Sequence, residues 1–206
     1  VGSSGQLSEA GDVDAARAPR QAGSTLKPFI YGLGIEKNLF TAATLLDDSP
    51  FSVDVGGGAY TPQNYAHEYV GPVSVRTALA SSLNVPAIRA LTLVGVAPAH
   101  ATIKRAGLTT LVNDPEHYGF SLALGIADVN LLELTNAYRA IANDGTWSET
   151  RFTLCPSCSS GYAATSGVQT NPIGTPALPL QRRELRSVTA PTEKRVFSES
   201  TAWLLG

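Results

Sequence analysis

Apolar residues recur at helical spacing most plainly at Leu131, Leu134, Ala137, Tyr138 and Ile141, three or four positions apart. Asn130 opens that segment with Glu133 three positions on, a capping-box-like pair, and Asn143-Asp144-Gly145 closes it. The pattern predicts a helix that serves the core and carries no chemistry. Residues 73–82 and 86–93 read as two further helices, the second begun by Pro86 and stopped by Gly95. Residues 98–106 read as a short helix ended by Gly107.

Near the beginning, residues 24 to about 37 are predicted helical despite Gly32 and Gly34. Pro28 sets a condition on that helix: its ring and missing N–H are tolerated in a first turn, and deeper they cost about 3 kcal/mol or more. Ser24 is therefore expected at the very start. Residues 3–23, rich in Gly, Ser and Ala, read as a loop leading in. Residues 44–60 hold Asp47-Asp48-Ser49-Pro50 and Gly56-Gly57-Gly58 and predict turns with short extended pieces. The triple glycine lacks the lysine of a P-loop and the spacing of a dinucleotide loop, so it is not read as a phosphate cradle. Residues 148–190 are dominated by Ser, Thr, Pro and Gly, as in a surface insertion.

Composition sets outer bounds. With 206 residues, 43% hydrophobic and 16% charged, the chain has material for one sizeable core. A net charge of -2 without a Lys/Arg run leaves no footprint for nucleic acid. No apolar run approaches the roughly 20 residues of a spanning helix, and no signal peptide is recognised. The pair Cys155 and Cys158 leaves several readings open: a small disulfide in an oxidising compartment, half a zinc site, a redox motif, or free thiols. His67, His100 and His117 supply no ligand pair at suitable spacing and read as surface or packing residues, so no metal is expected.

Chemistry concentrates in Gly23-Ser24-Thr25-Leu26-Lys27-Pro28-Phe29. On a helix the three-residue interval sets a hydroxyl and an amine on one face, as a nucleophile with its base. An ammonium is no base, so Lys27 must lose its proton near neutral pH. Bringing it from about 10.4 to about 7 takes roughly 4.6 kcal/mol, which burial can supply. Leu26, Phe29, Ile30 and Tyr31 are placed to desolvate it. By itself Ser-x-x-Lys also arises by chance on solvated helices.

Downstream stand Tyr60-Thr61-Pro62-Gln63-Asn64-Tyr65, Gly71-Pro72-Val73, and the run from Arg76 through Ser81-Ser82-Leu83-Asn84-Val85-Pro86 to Ile88. Leu122-Ala123-Leu124-Gly125 and the segment from Leu131 to Asn143 follow. In this order the motifs resemble the transpeptidase domain of class A penicillin-binding proteins, particularly the 1C-like group. The resemblance is dense over residues 17–147 and loose over the last fifteen or so. It implies an α+β fold of α/β/α type, a sheet flanked by helices, to which the middle of this chain contributes a helical subdomain. Ser24 would be the acylated nucleophile, Lys27 its proton acceptor, and Ser82 and Asn84 the second motif of the family. A hydroxyl such as Ser82 can donate and accept at once, which suits relaying a proton, and the Asn84 amide can donate to a substrate carbonyl. Read alone, Ser82 and Asn84 are also ordinary helix punctuation.

The implied activity is that of a peptidoglycan D,D-transpeptidase acting through an acyl-serine, without metal or organic cofactor. Its partners would be peptidoglycan stem peptides and, as covalent inhibitors, β-lactams, at the extracytoplasmic face of the bacterial inner membrane. The family's Lys-Thr-Gly element is not found: Lys27, Lys37, Lys104 and Lys194 are all followed by other residues. That strand is expected just beyond Gly206, while Val1-Gly2-Ser3 resembles the close of the family's first core strand. The chain is therefore expected to be an internal piece of a longer, membrane-anchored protein with a glycosyltransferase domain upstream. Lacking one oxyanion donor, it is expected to turn over poorly alone. Two alternatives stay open, a serine β-lactamase or D,D-carboxypeptidase, and a non-catalytic β-lactam sensor or interaction module. Ala22, where the family usually has proline, leaves room for the latter.

Overall fold

The computed structural model describes residues 5, 9–54, 58–150 and 192–206. The chain divides into two compact units, Val1–Ser148 with Glu193–Gly206, which carries the elements described, and Glu149–Thr192. Nearly all of the insertion expected at 148–190, with Cys155 and Cys158, lies outside the described residues, as do Val1, Gly2, Ser3, Gly56 and Gly57.

Helix α1 (Lys27–Glu36) is the pivot of the packing. Its sequence, Lys-Pro-Phe-Ile-Tyr-Gly-Leu-Gly-Ile-Glu, has no polar face before its last residue, and a helix apolar all round must be enclosed. Lys27 and every residue from Phe29 to Gly34 are buried, against α2 (Val75–Ala80), α3 (Asn84–Val94), α4 (Val96–Arg105) and α7 (Glu199–Leu205). The two glycines weaken the helix by propensity, about 1 kcal/mol each, yet they are where neighbours come closest. A Cβ at Gly32 would meet Phe197 and Leu205, and one at Gly34 would meet the Phe40 ring. Phe29 lies edge-on to Tyr138 at 5.6 Å between centroids and stacks on Phe197 at 6.4 Å.

The element boundaries refine the sequence reading. A 3-10 turn, Gly23–Leu26, precedes α1, and Pro28 falls in the first turn of the α-helix, as its chemistry requires. The helix expected over 73–82 shortens to α2, because Val73 pairs with Leu46 in a strand and the Ser74 hydroxyl caps the helix, accepting from the Thr77 N–H at 3.2 Å. Ser82 lies beyond α2 with φ +55°. α3 starts at Asn84, two residues before Pro86, and ends against Gly95. In α6 (Leu131–Ala142), the Asn130 side chain accepts from the Glu133 N–H at 2.7 Å, but the Glu133 carboxylate turns to the N–H and hydroxyl of Thr109. Only half of the expected capping box forms, since the second donor comes from another element. The face of α6 that is buried carries Asn136, Ala137 and Ala140, while Leu131 and Tyr138 are 47% and 38% exposed.

Among the described residues the strands form four antiparallel pairs and no larger sheet: β1 (Arg20–Gln21) with β6 (Asp128–Val129), β2 (Leu45–Asp48) with β5 (Gly71–Ser74), β3 (Val53–Asp54) with β4 (Ala59–Tyr60), and β7 (Thr146–Ser148) with β8 (Glu193–Arg195). The architecture is mixed α+β, with the helical part dominant here. In β2 the two-residue period of a strand turns Leu46 and Asp48 inward and Leu45 and Asp47 outward. A carboxylate is thereby drawn into the interior. Because Phe29 anchors α1 to both α6 and the segment before α7, Phe29→Ala is expected to lower the free energy of unfolding in urea by about 3–5 kcal/mol.

Candidate active site

The chain reaches Ser24 along a ladder. Arg20 and Gln21 pair with Val129 and Asp128, and then the Ala22 N–H donates to the Ala127 carbonyl and the Gly23 N–H to that of Gly125, both at 3.0 Å. Gly23 and Gly125 have φ of +56° and +72°, which costs an L-residue roughly 1–2 kcal/mol. A Cβ on Gly125 would also run into the Gly23 backbone, so glycine is needed at 125 for close approach as well. The turn that follows is fastened from two sides: the Thr25 hydroxyl donates to the Ala22 carbonyl at 2.6 Å, and the Tyr138 hydroxyl to the Thr25 carbonyl at 2.9 Å. Within it the Lys27 N–H donates to the Ser24 carbonyl. A 3-10 turn has three residues per turn, so side chains three apart eclipse. Ser24 and Lys27 thus share one side of the turn, Ser24 exposed at the mouth and Lys27 only 1% exposed beneath.

The surroundings of Lys27 match the expected desolvation, since Leu26, Phe29, Ile30 and Tyr31 are all fully buried. Its partners were not legible in the interval between serine and lysine. The amine Nζ donates to the Ser82 carbonyl at 2.6 Å, to the Asn84 Oδ1 at 2.8 Å and to the Ser82 Oγ at 3.2 Å. All three come from the α2–α3 junction, and among the described residues the Ser24 hydroxyl makes no hydrogen bond of its own. The left-handed conformation of Ser82 turns its carbonyl and its hydroxyl toward the same amine. Such a conformation is uncommon for a residue with a Cβ and persists where its surroundings over-determine it. The structure therefore brings Lys27, Ser82 and Asn84 into direct contact and leaves Ser24 exposed, outside that set of hydrogen bonds.

Burial lowers the pKa of Lys27 from 10.5 to about 8. A tenth or so of the amine is then unprotonated at pH 7, against well under a thousandth for an ordinary lysine. The three partners differ in kind. The Ser82 carbonyl and Asn84 Oδ1 can only accept, whereas the Ser82 hydroxyl can turn and donate. Of these three, only the Ser82 hydroxyl can donate to the lone pair of the neutral amine.

Sequence reasoning missed a second layer. Asn64, 3% exposed, accepts with Oδ1 the N–H groups of Asn84 at 2.8 Å and Val85 at 3.2 Å, the opening of α3. Its Nδ2 donates to both oxygens of Asp48, at 2.8 and 2.9 Å, and to the Glu68 carbonyl at 2.9 Å. Asp48 is fully buried and also accepts from the Val70 N–H at 3.0 Å. Asn84 Nδ2 donates to the Gln63 carbonyl at 3.0 Å. The available signal was the asparagine within Tyr60–Tyr65; in the Leu-Leu-Asp-Asp of β2 alternation gives each face one leucine and one aspartate and does not say which turns inward. A cleft of about 420 Å³ between Ile35, Val75, Leu79, Trp203 and Leu205 holds none of these groups; its lining is mostly apolar, with Arg76 and Tyr31 as the polar members, and includes no serine or cysteine.

The penicillin-binding protein transpeptidase domain model matches residues 8–205. Penicillin-binding protein 1A of Neisseria cinerea is 38% identical over 136 residues, 64% of this chain and 16% of that protein. Penicillin-binding protein 1C of Escherichia coli K12 is 36% identical over 135 residues, 66% of this chain and 17% of that protein. The chain thus spans about a sixth of the length of these curated relatives. Among solved structures, penicillin-binding protein 1A from Haemophilus influenzae aligns with a TM-score of 0.60 at 33% identity, covering 68% of this chain and 20% of that one. Penicillin-binding protein 3 from Mycobacterium tuberculosis shares the fold, with a TM-score of 0.65 at 22% identity over 95% of this chain and 43% of that one. With a domain match over almost its whole length and a fold shared with these structures, the chain belongs to the penicillin-binding protein transpeptidase domain family.

Proposed function

We propose that this chain carries the acyl-transfer centre of a peptidoglycan D,D-transpeptidase, with Ser24 as nucleophile, Lys27 as proton acceptor, Ser82 as relay and Asn84 as a substrate-binding amide. The observation that carries the reading is the recessed Lys27 amine, held by oxygens from Ser82 and Asn84, beneath an exposed serine on the same side of one 3-10 turn. A stem peptide ending in two D-alanines supplies the carbonyl. The neutral Lys27 amine takes the Ser24 proton as Oγ bonds to the carbonyl carbon, and the charge goes to the carbonyl oxygen. The Ser24 N–H lies in the first turn of a helical segment, with no backbone acceptor among the described residues, and suits an oxyanion donor. Collapse breaks the C–N bond, and the proton on Lys27 passes through the Ser82 hydroxyl to the departing amine. The ester on Ser24 then meets an amine of a second stem. That amine loses its proton by the reverse route, the new amide forms, and Ser24 regains its hydrogen.

A β-lactam follows the same first half and stays as a slowly released ester on Ser24. The substrate puts this work at the extracytoplasmic face of the inner membrane. No metal or organic cofactor enters any step.

Two measurements test the reading in the natural full-length protein. A fluorescent penicillin is expected to label the wild type covalently and Ser24→Ala not at all, and with an acceptor amine the peptide substrate should give the aminolysis product. A wild type that does not label overturns the reading, and hydrolysed product alone moves it to a carboxypeptidase or β-lactamase. The second concerns pH. The base is the unprotonated amine, so the acylation rate is expected to rise about tenfold per unit well below the Lys27 pKa of about 8 and to level off above it. A rate flat from pH 6 to 9 would remove Lys27 from the base role.

A further inference from the structure

Asp48 is a fully buried carboxylate outside the proposed catalytic set, and the one ion pair among the described residues, Arg89 with Asp47 at 3.0 Å, does not include it. Among the described residues its hydrogen bonds are all received from amide N–H groups, two contacts from Asn64 Nδ2 and one from Val70. An acceptor-only group against Nδ2 decides which way the Asn64 amide faces, since rotating it would set its oxygen against two carboxylate oxygens. With Nδ2 committed to Asp48, Oδ1 must point the other way, where it receives the N–H groups of Asn84 and Val85. Those bonds set the start of α3 and hence the place from which Asn84 Oδ1 reaches the Lys27 amine at 2.8 Å.

Every donor in this series points the same way. Lys27 donates to Asn84, the Asn84 backbone donates to Asn64, and Asn64 donates to Asp48. Direct polarisation runs from the Asn84 N–H through the Asn64 amide to the carboxylate. At Asn84 the side-chain amide that receives the amine is a separate group, whose own Nδ2 donates to the Gln63 carbonyl, so the link there is one of position. The amine end gains positive charge at the moment it takes a proton from serine. Fixed dipoles already aimed at a developing charge stabilise it with little reorganisation.

Resting on the acyl-transfer reading above, we infer that Asp48 and Asn64 are positioning residues of this centre: they act through Asn84 to hold the acceptors of Lys27 in place and favour the cation formed during acylation. Neither is assigned a contact with substrate. They join two stretches remote in sequence, β2 and the Tyr60–Tyr65 motif, to the junction that holds the base.

The test exchanges the two side chains. Asn64→Asp sets two carboxylates against each other, Asp48→Asn loses the group that orients the amide, and Asp48→Asn with Asn64→Asp restores a complementary pair. In the swap one oxygen of the carboxylate now at position 64 still receives the N–H groups of Asn84 and Val85, and the amide now at position 48 donates to the other oxygen; the bond that Asn64 Nδ2 gives the Glu68 carbonyl is lost, which is why full recovery is not expected. Acylation of the natural full-length protein by a fluorescent penicillin is followed over concentration, to separate the acylation rate constant from the prior dissociation constant. Thermal melting and the label incorporated at saturation report the folded fraction. Asn64→Asp is expected to lower the rate constant about a hundredfold, the scale of a misplaced catalytic group, with the dissociation constant changed less than about threefold. The swap is expected to return the rate constant to within about tenfold of wild type. A purely structural role would move the folded fraction and leave the rate constant of the labelled population alone, which overturns the inference. A folded Asn64→Asp that acylates at the wild-type rate overturns it too, with the acyl-transfer reading left standing. If the single variants do not fold, the swap decides: wild-type-like acylation upholds the inference, and a folded but inert swap, or one that does not fold, overturns it. A wild type that never labels removes both proposals together.

Discussion

Lys27 brings into the interior a nitrogen that water would keep charged, and the structure around it answers that cost with three oxygens from one backbone junction. Burial lowers its pKa to about 8, while the Ser82 and Asn84 acceptors satisfy the protons it keeps. Neither half would suffice alone. A lysine fully exposed stays an ammonium at neutral pH, and one buried without acceptors leaves unpaired donors that cost about 1–3 kcal/mol each. Most of the local architecture follows from meeting both demands, from the enclosed apolar surface of α1 to the left-handed Ser82.

The site is assembled from pieces each anchored in a different part of the unit. The Ser24 turn hangs from the β1–β6 ladder and from Tyr138 of α6, the amine sits at the head of α1, and the acceptors sit at the head of α3. α1 touches α3, and β2 touches α3 in turn, so the packing that buries Lys27 also brings Asp48 and Asn64 behind the acceptors. Glycine is used where two backbones must nearly touch, at Gly125, where the chain turns at positive φ, at Gly23, and where a ring presses on α1, at Gly34. Rigid placement of this kind is what acyl transfer asks of a scaffold, because a shift of about 1 Å in a reacting group costs on the order of a hundredfold in rate.

Several readings of the chain follow from local chemistry and agree with the structure. Pro28 could stand only in a first turn, and it does; Gly95 and Gly107 end helices at positive φ; the apolar run after Lys27 predicts an enclosed amine, and Leu26, Phe29, Ile30 and Tyr31 enclose it. Other readings shifted because a distant segment competed. Val73 and Ser74 fit a helix by pattern but pair with Leu46 and Leu45, and Glu133 leaves its own helix end for Thr109. Leu131 and Tyr138 fall on the apolar face by spacing, yet the small side chains of Ala137 and Ala140 are the ones covered, since they let the neighbouring elements approach.

By itself the sequence determined that a serine and a lysine stand three residues apart on one side of a turn, and the order of motifs that marks the family, because helix geometry and proline sterics act within a few residues. Given a strand at 45–48, alternation sets Leu46 with Asp48 and Leu45 with Asp47, but each face then holds one leucine and one aspartate, so packing chose the one that turns inward. Only the tertiary structure decided what the Lys27 amine touches. Ser82 and Asn84 lie 55 and 57 positions from Lys27, and Asn64 lies 16 from Asp48, separations at which no local rule fixes distance. Those contacts exist because helices and ribbons must pack their apolar faces together, and the polar groups carried along had to find one another in the space that remained.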